Sequence, residues 1–136
     1  MKILIFLLIT IPSFAQACTC VGLDDEEQLS KHHNVYLAKL TAISKPIEGR
    51  VTGYLQPIET YKGKTGANSP IVAGGMACSH ISDLKLGSVY LVFSEFGGPA
   101  RVGSCSPTRV IDPSGIQGIK EAFRELTNKA NKASQH

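Results

Sequence analysis

Two cysteines separated by a single residue, Cys18 and Cys20, follow directly on an apolar leader, and the other two, Cys78 and Cys105, lie far downstream. No other feature limits the possible folds of this chain as much. Met1-Lys2 is a minimal positive region, Ile3 to Ile11 is apolar apart from Thr10, and Ala15-Gln16-Ala17 has the A-x-A pattern of a cleavage site. Residues 1–17 therefore read as a secretory signal peptide and residues 18–136 as one domain. The leader is too short for a spanning helix, which needs about 20 apolar residues. Removing it takes away Lys2 and lowers the formal charge from +3 to +2.

All four cysteines then belong to an exported domain, where disulfides form and persist. The expected location is secreted, either extracellular or in a bacterial periplasm. Four cysteines allow three pairings. A Cys18–Cys20 bond would close a very small, strained ring, so each of the two is expected to reach a distant partner, with both such pairings open. A zinc site is a competing use, but C-x-C followed by isolated cysteines lacks the paired C-x₂₋₄-C spacing of structural zinc modules. A lipid anchor on Cys18 is another. Ala15-Gln16-Ala17 lacks the Leu-like residue and the small middle residue of a lipobox, and lipidation would leave one thiol unpaired.

With 136 residues there is room for one domain of roughly 100–150 residues and none for a multidomain enzyme. A hydrophobic content of 43% with 18% charged residues excludes intrinsic disorder. No dense Lys/Arg run is present, so no nucleic-acid partner is expected. Along the chain, Asp24 to Leu29 is a short helical candidate with acids at its positive end and Lys31 following. Strands are predicted at Val35–Ile43, at Val51–Tyr61 with a bulge or edge position marked by Gly53 and Pro57, at Ile71–Ala73, and at Ser88–Phe96. Ala100–Val102 reads as a hairpin partner of the last of these across Gly97-Gly98-Pro99. Ile116, Ile119, Phe123, Leu126 and Ala130 form one stripe of a C-terminal amphipathic helix, expected to pack on the sheet. Together these predict a mainly β fold: an OB-fold-like five-stranded barrel, closed or partly open, with a short N-terminal helix and a C-terminal amphipathic helix.

Signals for catalysis are thin. There is no G-x-S-x-G elbow, no H-E-x-x-H and no phosphate-binding glycine loop. His32 and His33 are adjacent, a spacing that points their rings apart, and they read as ordinary surface histidines, as does His80. No enzyme activity, no catalytic residue and no cofactor are expected.

Cys18-Thr19-Cys20-Val21 at the cleavage site, the strand Val35-Tyr36-Leu37-Ala38-Lys39, the turn Tyr61-Lys62-Gly63, Cys78, Gly87-Ser88-Val89-Tyr90-Leu91 and Cys105 occur in an order that resembles the N-terminal inhibitory domain of the tissue inhibitors of metalloproteinases, and more broadly the netrin-like module. The resemblance spans Cys18 to about Val110. It implies bridges Cys18–Cys78 and Cys20–Cys105 and inhibition of a zinc metalloendopeptidase. The free amine and carbonyl of Cys18 would chelate the protease zinc, so that Cys18 would be the metal-contacting residue. Thr19, Cys20, Val21, Met76, Ala77, Cys78 and Ser79 would contact the protease. The protein would act as a monomer with no transmembrane segment. The alternative is a non-inhibitory extracellular or periplasmic binding module of the netrin-like type.

Overall fold

The computed structural model describes residues 18, 20–22, 24–76 and 78–135; the expected signal peptide, Thr19 and Ala77 lie outside them. The elements follow in the order α1 (Asp25–Lys31), β1 (Asn34–Ile43), β2 (Arg50–Lys62), β3 (Ser69–Gly74), β4 (Val89–Ser94), β5 (Ala100–Arg101), β6 (Arg109–Ile111) and α2 (Ile116–Ala133), with single 3₁₀ turns at Ile81–Asp83 and Pro113–Gly115. Helix α1 begins where the Asp24 side chain accepts a hydrogen bond from the Glu27 amide at 2.8 Å, satisfying one of the orphan amides of the first turn. Its C-terminal carbonyls are satisfied from outside: the Lys62 Nζ donates to Leu29 O at 2.8 Å and to Ser30 O at 2.9 Å, tying the helix end to β2.

The strands form one sheet in the order β5-β3-β2-β1-β4-β6. All its pairings are antiparallel except β3 with β5. β5 sits at one edge and β4 near the other, yet the two pack against each other, so the sheet curls into a half-barrel. Both faces are buried because the side chains alternate. Tyr36, Ala38 and Leu40 of β1 and Tyr90 and Val92 of β4 turn into the curl, where they meet Leu55, Ile71 and Val102. Val35, Leu37, Leu91 and Phe93 turn outward, beneath Leu29 of α1 and Phe123 of α2. Phe123 is fully buried, and Ile116, Ile119 and Leu126 of the same stripe are packed beside it, as the helical period required.

The sheet has six strands in a half-barrel where five in a barrel were expected. Two details explain the difference. Ala100–Arg101 is no hairpin partner of β4: it crosses the open end of the curl and pairs parallel with Ile71 and Val72 of β3, and Val102 N–H donates to Val72 O at 3.0 Å. This pairing buries Ala100 and Val102 in the inner core, a gain in apolar burial that a turn signal in the sequence does not register. β6 is three residues long with only Ile111 buried, too short to carry a period. Just before β6, Thr108 stands in for a strand partner: its Oγ1 accepts from Phe93 N–H at 3.0 Å and donates to Phe93 O at 3.1 Å. At Pro57 the β1–β2 register shifts, between Leu37 and Ala38, which accommodates a residue with no amide hydrogen. Gly53 is required for space rather than for flexibility: a Cβ there would lie 2.5 Å from Leu40 Cδ1 and 3.0 Å from Ile71 Cγ2.

Candidate functional site at the disulfide-bonded end

Cys18 is bonded to Cys78 and Cys20 to Cys105, with sequence separations of 60 and 85 residues. Two such bonds belong to an oxidising, non-cytoplasmic environment. Both distant cysteines sit on loops that touch each other. Ser104 N–H donates to Cys78 O at 2.7 Å, and a Cβ on Gly103 would meet that same carbonyl at 2.8 Å. Cys78 itself has φ 65°, a left-handed conformation that a non-glycine residue rarely adopts, held between the bridge and this contact. Ser79 beside it is buried. Its Oγ donates to Val102 O and accepts from Gly74 N–H at 2.9 Å, so the hydroxyl is consumed in joining three segments.

Between these loops and the end of β4 lies a cleft of about 450 Å³. Phe93, Pro99 and Val102 are apolar parts of its lining, which also includes Met76, Arg101, His32 and Glu95. A shallower depression continues from it past Cys105, Ser106 and Pro107 to Cys20 and Val21. The Arg101 guanidinium donates to the Met76 thioether at 3.3 Å. The two adjacent histidines converge rather than point apart. His33 Nδ1 lies 3.1 Å from one Glu95 oxygen and His32 Nε2 lies 3.8 Å from the other, while His32 Nδ1 sits 3.0 Å from Gln28 O. Each ring rests edge-on against a phenylalanine, His32 on Phe93 and His33 on Phe96. The backbone turn between α1 and β1 gives the rings a common target, which adjacency in sequence does not reveal. His80 is exposed, and its backbone amide donates to Asp83.

Of the residues that the resemblance assigns to a protease contact, Cys18, Cys20, Val21 and Met76 are exposed, Cys78 is half-buried and Ser79 is buried. The chelating role needs correction. Cys18 is bound through its sulfur to Cys78, so it is not a free cysteine available to a protease zinc. Among the described residues no group of three or more His, Cys, Asp or Glu side chains is arranged to hold a metal ion. Inhibition of a zinc metalloendopeptidase, the partnership with such an enzyme and the identity of a metalloproteinase inhibitor of the netrin-like class are therefore set aside. No protein-family model matches the chain. No curated protein is significantly similar to it. Among the described residues no helix is long and apolar enough to cross a membrane.

Sequence patterns did not point to Phe96, Arg101 or the His32–Glu95 wall. Phe96 reads as the end of a strand and Arg101 as the middle of a hairpin arm. Only the crossing of β5 over the curl places Arg101 beside Met76.

Proposed function

We propose that this chain is an exported, disulfide-bonded recognition module that holds a protein partner at its bridged end and carries out no catalysis. The observation that supports this most directly is the exposure of two large apolar side chains there, Val21 at 88% and Phe96 at 85%. Scattered apolar residues on a surface need no explanation, and Ile47 and Leu86 are also exposed, away from this cleft. Val21, by contrast, lines the depression that shares Cys105, Ser106 and Pro107 with the cleft, Phe96 packs on His33 directly after the cleft residue Glu95, and Met76 is half-exposed in the cleft lining, an arrangement that suits an interaction surface. The bridges fix the segment that carries Val21 before any encounter, which lowers the ordering cost of binding. The hydroxyls of the site support a structural role: Ser79 is spent as described, and Ser106 Oγ donates to Arg101 O and accepts from Thr108 N–H.

The test is site-specific photo-crosslinking in the producing cell, with a benzophenone side chain placed in turn at Val21, Met76, Phe96, Ile47 and Leu86. One discrete protein adduct from the first three positions and none from the last two is the expected pattern. No adduct from any position, or the same adducts from Leu86 as from Phe96, overturns the proposal.

A further inference from the structure

We infer that the cleft receives an extended segment of the partner that carries an acidic side chain next to apolar ones, with Arg101 as the residue that selects the acid. This rests on the proposed use of the bridged end. The starting point is the unequal pairing of the charged groups that line the cleft. The Glu95 carboxylate is engaged by His33 at 3.1 Å and faces His32. Arg101 is exposed, and its side chain donates to a thioether, a weak acceptor for a guanidinium with five N–H donors. No carboxylate of the described residues lies within salt-bridge distance of it, whereas Arg109 and Arg124 are paired with Asp25 and Glu59. A planar guanidinium with open donors at the mouth of an apolar cleft matches a carboxylate in two-pronged geometry.

The rest of the cleft defines the neighbours of that carboxylate. Phe93, Val102 and Pro99 in its lining reward aliphatic side chains. The volume of about 450 Å³ falls in the range of small-ligand sites. A small molecule would nevertheless leave Val21 and Phe96 uncovered, whereas a protein segment entering the cleft brings flanking surface to both.

The experiment uses the oxidised, bridged protein labelled with ¹⁵N and two blocked tetrapeptides, acetyl-Leu-Asp-Leu-Leu-amide and its Asn analogue. The Asp peptide is expected to shift the amide resonances of Gly98, Arg101 and Gly103 and to bind about three- to fivefold more tightly than the Asn peptide, the margin of an exposed ion pair. In Arg101→Gln that preference disappears while the apolar contribution persists; in Arg124→Gln, whose side chain pairs with Glu59 of β2 and does not line the cleft, it remains. Equal affinity for the two peptides, a preference that survives in Arg101→Gln, or no shift of the cleft resonances by either peptide overturns the inference. Those outcomes leave the crosslinking pattern from Val21, Met76 and Phe96 to decide separately whether this end binds a protein at all.

Discussion

Tyr61 gives the most demanding check on the packing described here. Its ring lies in the outer core, 5.2 Å from that of Phe123, and its hydroxyl is buried with no hydrogen-bond partner. A buried, unsatisfied hydroxyl costs about 1–3 kcal/mol. Tyr61→Phe removes the penalty and leaves only a small void, so the variant should be more stable by about 1–2 kcal/mol, which for a domain of this size raises Tm by roughly 4–8 °C. Tyr90→Phe is the counterpart. The Tyr90 hydroxyl accepts from Lys85 N–H at 2.8 Å and donates to Asp83 O at 2.9 Å, so the same chemical change there should cost about 1–3 kcal/mol. The two substitutions thus carry opposite signs. A pH series adds a second readout. Burial and the Glu59 carboxylate, against the opposing Arg124, push the Tyr61 phenol from its ordinary value near 10 up to about 12. The folded state therefore keeps this proton after the unfolded chain has lost it. The stabilisation is complete below pH 10 and is lost as pH rises through 12. Because the other tyrosines titrate in both proteins, the advantage of Tyr61→Phe over the parent should widen between pH 10 and 12. Urea unfolding of the bridged proteins, at neutral pH and across that window, measures all of this. If Tyr61→Phe proves less stable than the parent at pH 7, the hydroxyl has a partner and the reasoning fails.

Two further outcomes follow from the packing. Gly53→Ala forces a methyl group against Leu40, Ile71 and Leu84 and should destabilise the domain by about 1–3 kcal/mol, with urea unfolding as the check. Replacing both Cys20 and Cys105 with Ser opens a loop with a separation of 85 residues and should lower stability by about 2–5 kcal/mol, measured against the parent by thermal unfolding under non-reducing conditions.

The long elements were legible from composition and spacing. Val35–Ile43 and Val51–Tyr61 show as β-rich runs, although β1 is buried on both faces and so carries no alternation, and the α2 stripe shows at helical spacing. The bend opposite Pro57 was legible too, from the missing amide hydrogen alone. The short edge strands were not. A two-residue strand such as Ala100–Arg101 has no period, and its partner is chosen by the curl of the whole sheet. The cleft inherits that limit, since Arg101 and Met76 are brought together by the same crossing, and Glu95 gathers His32 and His33 only because α1 ends over β4. A cysteine pattern reports that loops are tied; it does not report which other side chains the tied loops bring with them.

The two bridges also impose a schedule. In an oxidising compartment entered N-terminus first, Cys18 and Cys20 arrive with only each other for company, and a bond between them is geometrically poor. Cys78 arrives next and is within reach of either. In the folded domain Ser104 N–H on the Cys78 carbonyl holds the two loops together, with Cys78 bonded to Cys18 and Cys105 to Cys20. A chain truncated before residue 105 would hold three cysteines, so even with Cys18 correctly joined to Cys78 it would leave Cys20 without its partner.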